Sequence, residues 1–321
     1  MNGDIFTPTE SILTKYHQPI EFANKQLEVF WTADEINVEN DIHSIRVDMD
    51  EAERHGVLTT LRLFTLYELR AGSDYWRDVF PVIFPRPEFA RMASVFSMFE
   101  LAVHAPFYNK LNEALNVSTD DFYLSYVKDP QLKQRMDFID SALTSGNPLY
   151  SVGVFSLIEG AVLYSSFAFL KHFQANGKNK LNNVCRGIDF SVRDEAMHAE
   201  GGAYAFREGL QQLKPSDLDR MKLYARIHEA SNVIAEHEYA IINKIFEKGN
   251  IRGISKESLK QFVDHRISTV LVSLGVLSKV EDAGPVGEWF YKDINDYKFN
   301  DFFAGQGREY TRNWDEKGFV F

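Results

Sequence analysis

Two segments of the chain carry a glutamate and a histidine at spacings that suit metal binding. Arg193–His198 contains Glu195 and His198 three residues apart, and Glu100 and His104 lie four residues apart. A helix advances roughly 100° per residue, so each pair faces one side of its helix. Carboxylates and histidines that converge from several helices are what a buried two-metal site in a helical bundle requires.

Two further carboxylates stand in stretches that are otherwise apolar. Glu159 lies within Val152–Leu163, and Glu68 lies within Leu63–Leu69. A lone carboxylate is costly to bury unless it is paired or bound to a metal. A single Glu-x-x-His is more often a solvated helix face, but the whole set predicts a two-metal site with these ligands: Glu68, Glu100, His104, Glu159, Glu195 and His198. Mixed oxygen and nitrogen ligands favour iron or manganese over calcium or structural zinc.

Composition narrows the possible functions and locations. The 321 residues can form one large helical domain or two smaller ones. The formal net charge of −11 argues against a nucleic-acid surface, and no glycine-rich phosphate loop motif is present. Cys185 is the only cysteine, which fits a reducing, cytoplasmic compartment. The N-terminus lacks a signal-peptide pattern, and without a run of 18 apolar residues we expect no membrane span.

Apolar periodicity predicts an all-α protein of long helices. The predicted helices are Asp50–Ala71, Pro87–Asn116, Leu132–Thr144, Tyr150–Ala175, Lys180–Glu208, Pro215–Glu247 and Lys256–Leu277. The predicted breaks are Ala71–Asp74, Pro85–Pro87, Ser145–Pro148, Lys248–Asn250 and Ala283–Pro285. The last segment, Asn295–Phe321, is polar and ends in aromatic residues. It reads either as a flexible peptide that docks into a partner or as a tail that packs on its own domain.

At these residues the chain resembles the small, radical-generating subunit of class I ribonucleotide reductase, from about Gln26 to Tyr310. The matching segments are Phe30–Glu35, Thr65–Gly72, Glu159–Phe167 and Arg193–His198, of which the last is the most specific. The resemblance implies a ferritin-like helical bundle, usually a homodimer. It also implies an N-terminal arm at 1–20, a two-metal domain at 21–290 and a tail at 291–321 that docks the large subunit.

The resemblance further implies roles for individual residues. The six carboxylates and histidines would bind two ions of manganese, iron or both, and Tyr108 would carry or neighbour a radical. Trp31, Asp194 and His104 would connect the metals to the surface through hydrogen bonds. Tyr310 would relay the oxidising equivalent to the large subunit, where ribonucleotides are reduced to deoxyribonucleotides. The last residues, Gly318–Phe321, would dock into that subunit.

The chain departs from the family pattern in two places. Glu68 stands where most members have aspartate, as in subgroups that use manganese. The second ligand pair has one residue more than the family spacing. Counted from His104 the radical position is Tyr108, but counted from Glu100 it is Phe107. A local bulge near Pro106 can absorb the extra residue, so we favour Tyr108. With Phe107 at that position, the metals themselves would store the oxidising equivalent.

Two other functions fit a ferritin-like bundle. A two-metal oxidase or oxygenase would act on its own small substrate without a partner protein. A metal-storage or purely structural bundle would need neither a partner nor an aromatic tail. For the reductase subunit, the expected lining of a dry pocket at the metals is Phe107, Leu163 and Phe167.

Overall fold

The computed structural model describes residues 4–296, in which helices are joined by short connections and no β-strand occurs. The α-helices are α1 (His17–Glu28), α2 (Glu39–His43), α3 (Glu51–Leu69), α4 (Phe80–Ile83), α5 (Pro87–Phe99), α6 (Ala105–Ala114), α7 (Asp120–Lys128), α8 (Pro130–Leu143), α9 (Pro148–Ala161), α10 (Tyr164–Lys171), α11 (Asn182–Leu213), α12 (Asp217–Ile245), α13 (Lys256–Ser273) and α14 (Gly284–Asp296). Three further stretches are π-helical: Ser44–Asp48, Arg70–Val79 and Glu100–His104.

Helices α9 and α11 form the most extensive helix pair, and α9 also packs against α12 and α13. Nearly every residue of α9 is buried, as expected for a helix that is apolar all round. By length and composition, Pro148–Lys171 is the one stretch of the described chain apolar enough to cross a membrane, and its most apolar 18 residues are all buried. Its apolar character is therefore explained by its place in the core.

Side-chain caps fix where several helices begin. Asp50 accepts from the backbone N–H of Glu53 at 2.8 Å, and the Glu53 carboxylate accepts from the N–H of Asp50 at 3.3 Å. This capping box starts α3 where the sequence predicts it. Asn147 caps α9 by accepting from the N–H of Tyr150 at 3.1 Å, with Pro148 at the first helical position. These two starts set the positions of Glu68 and Glu159 along their helices.

The predicted break at Ala71–Asp74 is wrong. Helix α3 continues without interruption into the π segment Arg70–Val79. A Cβ at Gly72 would lie 2.7 Å from Leu101 Cγ and 2.8 Å from Glu100 Cβ. Ser97 Oγ also donates to the Gly72 carbonyl at 2.8 Å. The glycine therefore serves the close approach of two helices and does not form a turn.

The predicted continuous helix Tyr150–Ala175 is also wrong. It is divided at Val162 and Leu163, and Leu163 adopts a left-handed conformation with φ of 73°. The periodicity missed five of the α-helices in the described residues: α1, α2, α4, α7 and α14. The predicted domain boundaries at 20/21 and 290/291 lie within α1 and α14, and most of the predicted tail lies outside the described residues.

Candidate metal centre

The six predicted ligand side chains come together in the middle of the bundle. They form two overlapping groups whose ligand atoms lie within 4.8 Å of one another: Glu68, Glu100, His104 and Glu195 in one, and Glu100, Glu159, Glu195 and His198 in the other. Glu100 and Glu195 belong to both groups. All six residues are at most 1% exposed. Two sites joined by shared carboxylates are the arrangement that a dinuclear centre needs.

The π segment Glu100–His104 allows both of its end residues to reach the centre. Its i→i+5 hydrogen bonding gives a wider turn than an α-helix, and the N–H of Ala105 bonds to the Glu100 carbonyl. The four-residue spacing therefore still turns both side chains inward, with His104 Nδ1 3.2 Å from Glu100 Oε2. This confirms the predicted local bulge. Pro106 follows near the start of α6, where its missing N–H costs little.

The hydrogen-bond partners of the buried ligand atoms show whether the centre suits metal ions. Within residues 4–296 no hydrogen-bond partner is found for the Glu195 carboxylate oxygens, both Glu68 oxygens, Glu159 Oε2 or the His198 ring nitrogens. Their close charged neighbours belong to the centre itself, as with His198 Nδ1 at 2.5 Å from Glu100 Oε1, and two histidines do not balance four buried carboxylates. Four carboxylates carry four negative charges, which two divalent cations balance. The residues therefore fit a dinuclear site for manganese or iron, whose mixed oxygen and nitrogen ligands they supply.

The pKa values of the buried ligand side chains show how strongly their charges interact. Burial raises the pKa of Glu68 and Glu195 well above the usual range, and the neighbouring Glu100 raises both further. Burial lowers the pKa of His198, but Glu100 and Glu159 outweigh it and raise this pKa to about 10. The carboxylates thus attract positive charge strongly, whether as protons or as cations.

Trp31, Asp194 and His104 form a buried chain of contacts. The indole Nε1 of Trp31 donates to Asp194 Oδ2 at 2.8 Å, and His104 Nε2 lies 3.2 Å from the same oxygen. Burial raises the pKa of Asp194, but Arg193, His104 and Trp31 together bring it below the ordinary value. An ionised Asp194 accepts the Nε2 proton of His104, which leaves Nδ1 directed toward the carboxylates.

Tyr108 is buried beside this chain on α6. Its hydroxyl donates to Ser191 Oγ at 3.0 Å, and its ring stacks on Phe64 with centroids 4.3 Å apart. Burial raises its pKa well above the usual value, and the negative charge of Glu68 raises it further. Phe107 packs edge-on against Trp31. Both residues are therefore buried, and Tyr108 is the one that brings a redox-active phenol near the carboxylates.

The residues expected to line a dry pocket at the metals are all buried, and their lining of such a pocket remains a prediction. Phe107, Leu163 and Phe167 are each at most 1% exposed, and Phe167 stacks on Phe64 at 5.3 Å. Tyr310 and the docking residues Gly318–Phe321 lie outside the described residues.

Sequence reasoning missed Trp76. Its Nε1 donates to Glu159 Oε1 at 2.7 Å, and its ring lies 6.0 Å from that of His198. It is fully buried in the π segment that follows α3. If the predicted helix had continued past Gly72, Trp76 would have lain about two turns after Glu68, on a similar side of the helix. The break predicted at Ala71–Asp74 hid this relationship.

The geometry agrees with comparisons to known proteins. The family described as "Ribonucleotide reductase, small chain" matches residues 12–280. The chain belongs to this family. Ribonucleotide reductase is an oxidoreductase, and this membership favours a reductase subunit over an independent oxidase or a storage bundle.

Relatives in this family come from distant sources. A probable ribonucleoside-diphosphate reductase small subunit of Invertebrate iridescent virus 3 is 24% identical over 306 residues, covering 88% of this chain and 78% of the viral protein. The ribonucleoside-diphosphate reductase 2 subunit beta of Escherichia coli K12 is 24% identical over 307 residues, covering 91% and 90%. Both alignments span most of each chain.

A solved structure shows the same fold. Dimanganese(II)-NrdF of Streptococcus sanguinis matches with a TM-score of 0.76 and 21% identity, covering 88% of this chain and 98% of that one. This likeness confirms the predicted all-α, ferritin-like bundle of the ribonucleotide reductase small chain.

Proposed function

We propose that this chain is the small subunit of a class I ribonucleotide reductase that provides an oxidising equivalent to a separate large subunit. The large subunit then reduces ribonucleotides to deoxyribonucleotides. The observation that carries the proposal is the pair of buried ligand groups that share Glu100 and Glu195. The reaction itself is inferred from membership of the ribonucleotide reductase small-chain family, whose match covers residues 12–280.

In this proposal the six ligands divide between two ions. Glu68 and His104 would hold one, Glu159 and His198 would hold the other, and Glu100 and Glu195, which belong to both ligand groups, would be available to either ion. When bound, two manganese or iron ions supply the one-electron oxidant of the reaction. The grouping of ligand atoms within 4.8 Å supports this division.

The surrounding residues orient the ligands and exclude water. Asp194 fixes the ring of His104 by accepting at Nε2, and Trp76 fixes Glu159 by donating to Oε1. Such outer partners set ligand orientation in metal sites. Leu163 and Phe167, both buried, would help to exclude water from the centre, which would protect an oxidised side chain from solvent.

Tyr108 is our candidate for the stored oxidising equivalent. Burial keeps its phenol protonated, so oxidation removes an electron and a proton together. The phenol donates a hydrogen bond to Ser191 Oγ at 3.0 Å, which fixes the direction of its O–H bond. From the centre, Trp31 would carry the equivalent outward through its bond to Asp194. Tyr310 would continue the relay into the large subunit.

The assembly completes the proposal. The small chain would act as a homodimer in the cytoplasm, with Gly318–Phe321 docking into the large subunit. The single cysteine, Cys185, is buried and has no second cysteine in the sequence with which to form a disulfide, which supports a reducing compartment.

The decisive test combines metal analysis with reconstitution. We expect two manganese or iron ions per chain by anomalous scattering at the two metal edges, and an oxidised paramagnetic state by electron paramagnetic resonance. Adding the large subunit should then give ribonucleotide reduction. Turnover of a small substrate by this chain alone, without any stimulation of the large subunit, would contradict the proposal and favour an oxidase.

A further inference from the structure

A second cavity lies outside the metal centre, between the α10–α11 connection and the α12–α13 connection. Its volume is about 420 Å³, and its lining residues are Glu53, His172, Gly177, Lys178, Lys180, Arg252 and Gly253. No predicted metal ligand is among them. Three side chains in the lining are cationic and one is anionic, so the cavity carries an excess of positive charge in a protein whose net charge is −11.

The cations are held toward the cavity by bonds to backbone carbonyls. The Lys178 ammonium donates to the carbonyl of Arg252, and the Lys180 ammonium donates to the Asp48 carbonyl at 3.1 Å. Both lysines share Glu53 at longer range, 3.8 Å for Lys178 and 4.0 Å for Lys180. One carboxylate thus faces two ammonium groups, and neither forms a close ion pair.

Arg252 adds an exposed guanidinium group at the rim. Its side chain makes no ion pair or hydrogen bond with any residue in 4–296. Burial lowers the pKa of Lys178, and although Glu53 opposes this, Lys180 and Arg252 lower it further. The positive charges therefore repel one another across the cavity. A bound anion would relieve that repulsion.

His172 provides an uncharged polar atom at the buried end. The residue is 2% exposed and directly follows α10, and its Nδ1 contacts the carbonyl of Phe169 in the last turn of that helix. Nδ1 is therefore the protonated nitrogen and Nε2 the acceptor. Nε2 is buried and has no partner within the described chain. Burial lowers the pKa of His172 to about 3, so the ring is neutral. Buried polar atoms are usually hydrogen-bonded, and Nε2 can accept a hydrogen bond from a donor such as a hydroxyl group.

The backbone around Lys178 and Lys180 holds an uncommon conformation. Asn179 has φ of 49° and Leu181 has φ of 56°, in the left-handed region that bulky residues rarely adopt. Gly253 has φ of 90°, and a Cβ there would lie 3.1 Å from Lys178 Cε. The glycine thus leaves room for the lysine stem to cross the loop.

We propose that this cavity binds a phosphate group, with its anionic oxygens against Lys178, Lys180 and Arg252 and a hydroxyl group donating to Nε2 of His172. A phosphate ion can supply both features through a protonated oxygen, and a sugar phosphate can supply the hydroxyl from its sugar. The volume falls within the roughly 300–1,000 Å³ of small-molecule sites. This site is independent of the proposed metal chemistry.

The test is isothermal titration calorimetry of the full chain with inorganic phosphate and, separately, with ribose 5-phosphate, in a buffer free of phosphate. We expect saturable binding that weakens as salt is added. Arg252→Gln should weaken it on the order of tenfold, the loss of one charge-assisted hydrogen bond. The matched control is Arg220→Gln, which removes an exposed arginine near the opposite end of α12. It should change the affinity less than about twofold.

The result also identifies the ligand. Equal affinity for the two probes assigns the site to free phosphate, and tighter binding of ribose 5-phosphate assigns it to a phosphomonoester. The imidazole signal of His172, identified by its loss in His172→Phe, should shift on binding. Absence of saturable binding by the unsubstituted chain, or equal weakening by Arg252→Gln and Arg220→Gln, would overturn the proposal. Metal content should be the same in every variant, which separates this site from the metal centre.

Discussion

The indole of Trp76 donates a hydrogen bond of 2.7 Å to Oε1 of Glu159 and thereby ties the π segment after α3 to the central helix α9. Trp76→Phe removes this donor, while the other Glu159 oxygen already lacks a protein partner. We expect the ion held by Glu159 and His198 to bind about tenfold or more weakly. Site-resolved metal titration measures this. Trp289→Phe, in a half-buried tryptophan of α14, is the control, and unchanged affinity at both sites would argue against an orienting role.

Glu100→Gln tests the shared ligand. The amide keeps the size of the side chain but removes the charge that both ligand groups use. We expect the metal content to fall from two ions per chain toward one. The control is Glu88→Gln, which neutralises another buried glutamate, one that is bonded to Arg86 and to the N–H of Lys15. Retention of two ions in Glu100→Gln would show that Glu100 does not bridge.

Trp31→Phe separates the relay from the metal centre. The ring is replaced by a smaller aromatic ring, and only the bond to Asp194 is lost. We expect metal content and the oxidised paramagnetic signal to be retained while turnover with the large subunit stops. Tyr310→Phe should behave in the same way. Turnover at the normal rate in either variant would count against that residue as a relay.

Tyr108→Phe tests whether the oxidising equivalent is stored on the Tyr108 phenol or on the metals. If the phenol holds the radical, the organic radical signal disappears and turnover is lost, although two ions still bind. Ser191→Ala should shorten the lifetime of that radical, because the phenol loses its hydrogen-bond partner. Undiminished turnover in Tyr108→Phe would place the stored equivalent on the metals.

His172 predicts a pH dependence of stability that does not involve the metal centre. Its pKa is about 3 in the folded chain and about 6.5 when unfolded. Below pH 6.5 the unfolded chain therefore binds a proton that the folded chain does not. The free energy of unfolding should fall by up to about 1.4 kcal/mol per pH unit as the pH drops from 6 toward 4. Urea unfolding measures it, and His172→Phe should flatten this part of the profile. Equal slopes in the two proteins would contradict the assignment.

The metal ligands could be predicted from the sequence because they follow from residue type and local spacing. Glu159 and Glu68 stand out as charges in apolar stretches, and helix geometry alone pairs Glu195 with His198. The extra residue between Glu100 and His104 also signalled a local distortion, which the π segment bears out.

Features that depend on contacts between distant segments could not be predicted. Gly72 reads as a turn signal until Leu101 and Glu100 are seen packing against it. The left-handed Leu163 that divides α9 from α10 has no local signal, since leucine rarely adopts positive φ. The bond from Trp76 to Glu159 joins positions 83 residues apart, beyond the reach of periodicity.

The wide turn at Glu100–His104 also determines how α6, which follows it directly, is rotated about its axis relative to α5. Deleting one residue from Leu101–Val103 would let the segment relax into regular α geometry while α6 keeps its orientation relative to α5, because the π turn accommodates one extra residue. With all residues kept and no wide turn, α6 would instead rotate by roughly 100°, and Phe107 would replace Tyr108 beside Ser191. The identity of the aromatic group beside the carboxylates is thus decided by a count of residues within a single turn.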